Sequence, residues 1–199
     1  MRLLVILFFL IHNIYSQPFD KSKPLKSYSD KTIITSQVRS EGNKAILRGT
    51  ESKKNREFVL SNYNGIQISV YPAWDYGFWP KKKPNSIDEF NFNVDGLSEL
   101  VNWGIENNMY MIHHCLFFPN KYFPNWFWES SYNAKQLDQI LSNYIEKVLL
   151  TNKNGEKIDA LNVINEIFDK NGNYRQSGNL SEDVKWMDMG YEDDNSGIL

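Results

Sequence analysis

Two stretches of this chain put reactive side chains at the ends of apolar runs. Leu161-Asn162-Val163-Ile164-Asn165-Glu166 ends in an amide and a carboxylate, and the turn-rich Asp169-Lys170-Asn171-Gly172-Asn173 lies behind it. Met109 to Phe118 is a second apolar run, interrupted by His113 and His114. Apolar runs of this length bounded by turn residues read as buried strands. A carboxylate at the carboxyl end of a parallel strand stands where such folds collect catalytic groups, and a carboxyl group can give a proton and then take one back. For Glu166 the competing reading is a first-turn helix acid or a solvated loop charge. On a strand, His113 and His114 point to opposite faces. A joint metal site from that pair is therefore not expected, and no third ligand is suggested. Cys115 lies inside the same run and reads as buried packing.

The elements that must position these residues alternate in type. Thr32 to Val38 has the β-branched content of a strand, residues 51–62 read as a short helix, and Ile66 to Tyr71 is strand-like again. Trp74 to Phe92 holds two prolines and many aromatics, and reads as a long structured loop. Leu97, Leu100, Val101, Gly104 and Ile105 recur at helical spacing. Asn93 or Asp95 caps that helix and Asn107-Asn108 ends it. After the histidine-bearing strand comes a second aromatic loop, residues 119–132. A helix from Asn133 to Leu150 buries Leu137, Ile140, Leu141, Tyr144, Ile145, Val148 and Leu149, and Asn154-Gly155 makes the turn into the strand that ends at Glu166. Strand and helix alternate along the chain, which argues for a parallel sheet with helical crossovers.

Composition sets the outer limits. Net charge is −2, so no basic field draws the chain to nucleic acid or an anionic membrane. The chain is rich in aromatics, with 6 Trp, 11 Tyr and 12 Phe, which fill cores and also stack on sugars or bases. Arg2 ahead of Leu3 to Ile11, with Ser16 at the cut, reads as a secretory signal peptide over residues 1–16. That run is shorter than the roughly 20 apolar residues of a membrane span. The expected address is therefore secreted and extracellular, with no membrane association after cleavage. Residues 17–31, rich in Ser, Lys, Pro and Asp, read as a linker ahead of a domain over 32–199. With one cysteine, Cys115, no intrachain disulfide forms, so the core alone holds the domain together. Asn179-Leu180-Ser181 fits the N-glycosylation pattern.

The residues around Glu166 resemble a known family. Asn165-Glu166 at a strand end, then Ile167-Phe168, Gly172, Tyr174 and Arg175, looks like the acid/base region of glycoside hydrolase family 10, the endo-β-1,4-xylanases. There an aromatic-Asp-Val-Val-Asn-Glu-Ala strand precedes a Gly-containing turn. His113 to Phe118, followed by Phe123-Pro124-Asn125-Trp126, is similar to the family's strand-three block. Phe90-Asn91-Phe92, Val101-Asn102-Trp103 and Met189-Gly190-Tyr191-Glu192 follow the same pattern in the same order. The resemblance implies an α/β fold, a partial (β/α)8 TIM barrel of about the first four βα units. It also implies retaining hydrolysis of a β-1,4-linked plant polysaccharide such as xylan. Carried over by position, Glu166 is the general acid/base, Asn165 contacts the sugar 2-hydroxyl, and His114 contacts the sugar. The competing reading of His114 is a buried histidine satisfied by backbone groups. Trp74 and Trp126 are further candidates for the substrate site, as are Trp79 and Trp128, each with core or loop packing as the competing reading. No cofactor is implied, because this chemistry runs on carboxylates and water; the acidic run Glu192-Asp193-Asp194-Asn195 reads as a solvated loop.

The departures are as informative. The family's strand-two Glu-Asn-x-x-Lys-Trp aligns with Ser69, Val70, Ala73 and Trp74, of which only the tryptophan is kept. The strand-three Trp-His becomes Phe118-Pro119 and the strand-four Trp-Asp becomes Leu161-Asn162. A retaining glycosidase needs two carboxylates about 5–5.5 Å apart. The family's nucleophile, in a Thr-Glu-Leu-Asp-type context, has no counterpart after Glu166. A whole barrel takes about 250 residues. The expectation is an incomplete barrel domain, truncated before its nucleophile and inactive alone, with a non-catalytic glycan-binding protein as the alternative.

Overall fold

The computed structural model describes residues 20–28, 30–70, 78–118, 123–166, 168, 171 and 172. The leader over 1–16, Trp74, the Asn179 glycosylation pattern and the acidic run 192–195 lie outside the described residues, and so does the side chain of Trp128. Four strands form one sheet: β1 (Thr35–Arg39), β2 (Gly65–Ser69), β3 (Tyr110–Phe117) and β4 (Ala160–Ile164). Their order is β1-β2-β3-β4 and every neighbouring pair is parallel. Helix α1 (Ser52–Asn62) joins β1 to β2, and α2 (Asp95–Glu106) joins β2 to β3. The β3–β4 connection carries α3 (Asn125–Trp128), α4 (Ala134–Leu150) and α5 (Asn154–Lys157). This is the alternation expected from the apolar pattern, and among the described residues it makes three βα repeats and a fourth strand of a partial (β/α)8 barrel.

Local chemistry sets the element ends. The N-cap of α2 is Val94, which makes no side-chain capping bond, so neither Asn93 nor Asp95 is the cap expected from the sequence; Asn93, one residue earlier, accepts from the backbone N–H of Asp95 at 2.9 Å. At α4, Asn133 accepts from the Gln136 N–H while the Gln136 side chain accepts from the Asn133 N–H, both at 3.0 Å. Asn108 leaves α2 at φ 52°. Between α4 and α5, Asn152 and Lys153 also take left-handed φ values of 53° and 57°. The buried Asn154 then donates to Ser98 Oγ at 3.0 Å, which ties this reversal to α2. The carboxylate of Asp159 accepts from the Met111 N–H at 2.7 Å, and its own N–H donates to the Met111 carbonyl, so β4 enters the sheet in fixed register with β3.

Register partners in a parallel sheet share a face, so the two faces can be read row by row. Val38, Ile68, His113 and Leu161 form one row, and Ser36, Ile66 and Met111 another. These rows lie under the helices: Gly104 of α2 comes so close that a Cβ there would stand 2.4 Å from the Met111 sulfur. Tyr144 of α4 is fully buried and its hydroxyl donates to the Leu116 carbonyl at 2.9 Å. Leu97, Leu100, Val101 and Gly104 are buried as expected, whereas Ile105, in the last turn of α2, is 45% exposed. Helical spacing assigns a face and says nothing of where covering elements stop. Likewise, Ile145 and Leu149 are only partly buried beside the fully buried Leu137, Ile140 and Val148.

Three further differences concern stretches expected to be loops or linker. Leu25–Tyr28 makes a 3-10 turn in which Lys26 Nζ donates to the Leu60 carbonyl at 2.6 Å, so this part of the linker is held against α1. Asn154-Gly155, expected as a bare turn, opens α5. The 119–132 stretch contains α3, whose aromatics join a cluster centred on Trp79. That ring meets Phe90, Phe92, Phe123, Trp126, Phe127 and Tyr144 at centroid distances of 4.5 to 6.3 Å. Edge and tilted contacts of this kind add to the area these rings bury.

Candidate active site at the strand ends

On the sheet face opposite the helices the rows change character. Gln37, Gln67, Ile112 and Ala160 form one row, and Arg39, Ser69, His114 and Asn162 form the next, one step nearer the carboxyl ends. Gln37 Nε2 donates to the hydroxyl of the fully buried Ser69 at 2.8 Å. Across the β3–β4 pair, Asn162 Nδ2 lies 3.0 Å from His114 Nδ1. A polar layer therefore runs along the strand ends, held by hydrogen bonds between neighbouring strands.

Glu166 stands just beyond this layer. The register between β3 and β4 slips between His114 and Phe117, yet Asn165 remains attached, its N–H donating to the Phe117 carbonyl at 2.9 Å. The next residue, Glu166, turns at φ 53°. For a non-glycine residue that left-handed conformation costs about 1–2 kcal/mol. The chain is thus pinned to the sheet at Asn165 and bent sharply at Glu166, whose side chain is exposed while Asn165 is half-buried. Glu166 is near enough for its charge to act on both His114 and Cys115.

The two histidines have separate environments. His113 is fully buried, neither ring nitrogen has a hydrogen-bond partner, and its ring meets the Phe78 ring at 5.6 Å. Burial, with a smaller contribution from the charge of His114, pulls its pKa down to about 3. His114 is half-buried; burial lowers its pKa and the negative charge of Glu166 works in the opposite direction. The Cys115 thiol is pushed up to about 12, by burial first and by Glu166 second, so it is inert packing.

Among the sequence candidates, Asn165, Glu166 and His114 are brought to one end of the sheet. Trp126 is set elsewhere: its indole N–H donates to the Pro80 carbonyl at 3.0 Å, and its ring packs on Trp79, Phe90 and Phe127. Trp79 is 3% exposed, so its ring serves the core. A groove of about 360 Å³ runs along the flank of α4, lined by Phe90, Phe92, Asn143, Glu146, Lys147 and Leu150 among others, and includes none of the strand-end residues. Among the described residues no group of three His, Cys, Asp or Glu side chains could hold a metal, and no helix is long and apolar enough to cross a membrane. Gln37, Ser69 and Asn162 were not singled out as site residues from the sequence. Their signal was positional: in parallel strands aligned on His114, each falls on the same face of its strand.

Comparison with known proteins bears on the family and the fold. The family model described as Glycosyl hydrolase family 10 matches residues 49–191. Endo-1,4-beta-xylanase A of Thermoanaerobacterium saccharolyticum is 33% identical over 119 residues, covering 54% of this chain and 10% of that protein. A GH10 endoxylanase retrieved from a sugarcane soil metagenome superposes with a TM-score of 0.60 at 20% identity, over 84% of this chain and 44% of the other. The CBM22-1–GH10 modules of the N-terminal endo-1,4-beta-D-xylanase 10B of Clostridium thermocellum, complexed with xylohexaose, superpose with a TM-score of 0.64 at 15% identity, over 86% and 34%. For TsXylA, the intracellular xylanase of T. saccharolyticum, the values are 0.60 and 21%, over 86% and 49%. At these identities the superpositions show a shared fold. The chain spans a tenth of the curated relative and about half or less of these solved structures.

Proposed function

Because this chain belongs to glycosyl hydrolase family 10, we propose that it carries the proton-donor half of a secreted endo-1,4-β-xylanase-like site. Its substrate class is a β-1,4-linked plant polysaccharide such as xylan. Glu166 acts as the general acid/base, protonating the leaving glycosidic oxygen and then taking a proton from water. Asn165 bonds the sugar 2-hydroxyl, a contact that strengthens in the transition state, and His114 bonds a sugar hydroxyl from the adjacent strand. Trp74 is the stacking candidate. The observation that carries the reading is the pinned Asn165 followed by the bent Glu166, whose charge reaches His114 on the neighbouring strand. Retention of configuration requires a second carboxylate about 5–5.5 Å from the first. None of the described strand residues that share a face with His114 is a carboxylate. The 199-residue polypeptide is therefore expected to bind xylo-oligosaccharide without turning it over.

The test is an assay of the purified chain for release of reducing sugar from xylan, with calorimetric titration of a xylo-oligosaccharide alongside. Binding with no turnover above the buffer blank is expected. Turnover abolished by Glu166→Gln would overthrow the proposed incapacity, and absence of binding would overthrow the substrate class. That no described strand residue on the His114 face is a carboxylate also favours one alternative, a glycan-binding protein without catalysis. That alternative requires Glu166→Ala to leave binding intact and loss of Trp74 to abolish it.

A further inference from the structure

Asn162 and His114 are register partners on adjacent strands, and their side chains meet at 3.0 Å between Nδ2 and Nδ1. An amide nitrogen only donates, whereas an imidazole nitrogen donates or accepts according to whether it carries the proton. We propose that Asn162 is a positioning residue for His114: its amide N–H occupies Nδ1, which fixes the ring as the neutral tautomer with its proton on Nε2. This inference rests on the reading of His114 as a sugar-contacting residue only for its functional consequence. The tautomer itself follows from the contact.

The surroundings favour the same state. From its own strand His114 is flanked by His113, which burial keeps neutral, and by Cys115, whose buried thiol stays protonated. From β2 it is faced by Ser69 and from β4 by Asn162, neither of which carries charge. The negative charge of Glu166 acts on the ring, and its pull toward the imidazolium is outweighed by burial. A carboxylate in place of the Asn162 amide would accept from Nδ1–H and stabilise the imidazolium. A neutral ring held on Nδ1 by Asn162 presents one fixed donor, Nε2–H, and adds no positive charge next to the acid.

The test is nitrogen-15 NMR of the imidazole groups in the full labelled chain between pH 4 and 8, without sugar, with the His114 signals assigned by their loss in His114→Gln. The expected result is an unprotonated Nδ1, a protonated Nε2 and a midpoint below 6.5. Asn162→Asp is expected to raise that midpoint by about one pH unit or more, a tenfold change in proton affinity. A proton on Nδ1 in the parent chain would overturn the proposal, as would an unchanged midpoint in a folded Asn162→Asp variant. Should that variant fail to fold, the tautomer in the parent chain decides the matter alone. Adding xylotriose afterwards probes the sugar-binding reading separately. Unmoved His114 signals at saturating sugar would remove His114 from the substrate site and leave the Asn162 assignment standing.

Discussion

His113 and His114 are neighbours in one strand, yet one faces the helices and the other faces the polar layer at the strand ends. On the helix side His113 is sealed against the edge of Phe78, with both nitrogens unpartnered. On the other side His114 is half-buried, paired with Asn162 and within reach of the charge of Glu166. The same contrast runs along β2, where Ile66 and Ile68 are wholly buried under helices while Ser69 takes a hydrogen bond from Gln37. One face is a dry core and the other is a bonded polar surface. On the proposed reading, stability and recognition are divided between residues that alternate along the same strands.

The largest effect expected from breaking that division is on the core side. Trp79→Ala removes the hub of the aromatic cluster and should cost about 3–5 kcal/mol, measured as the fall in urea midpoint and the loss of near-ultraviolet circular dichroism. A smaller and opposite effect is expected at His113. Replacing it with Leu removes two buried nitrogens that lack partners, which should stabilise the chain by about 1–3 kcal/mol at pH 7. The sign with pH follows from its depressed value. The unfolded chain takes up a proton at this residue below about 6.5, while the folded chain stays neutral down to about 3. Its contribution is thus complete above pH 6.5 and is lost as pH falls toward 3, at up to about 1.4 kcal/mol per pH unit. In His113→Leu that part of the slope should vanish, and urea titrations at pH 7.5 and pH 5 would reveal a retained slope.

Across the sheet the expected losses are in binding. His114→Ala and Asn165→Ala should each weaken xylo-oligosaccharide binding about tenfold, or about 1.4 kcal/mol, with little change in urea midpoint. If either lowered the midpoint as far as Trp79→Ala does, the two faces would not divide the work. The smallest effect sharpens the picture. Gln37→Ala takes the donor from the buried Ser69 hydroxyl and should cost about 1 kcal/mol in the same urea titration, since that hydroxyl is cut off from water.

Much of this was legible in order along the chain. The apolar runs, the Asn133-x-x-Gln136 capping box and the period of Leu97, Leu100, Val101 and Gly104 are local signals, and local chemistry decides them. Asn165-Glu166 at the end of an apolar run was visible for the same reason. What escaped was relational. Ile105 has the right spacing to be buried and is left exposed in the last turn of α2, and α3 formed inside a stretch whose prolines and aromatics suggested only loop. Trp126 has the composition of a sugar platform, and the fold puts its ring against Trp79 and its N–H on Pro80.

The sequence by itself determined which segments become strands and helices and which of them ends in an amide and an acid. Backbone propensity, capping and apolar period act over a few residues and need no partner. Only the tertiary structure decided that Asn162 meets His114, that Gln37 serves Ser69, and that adjacent histidines receive opposite environments. Those outcomes depend on the register between strands tens of residues apart, and a shift of one residue in that register would turn every side chain of a strand to the other face.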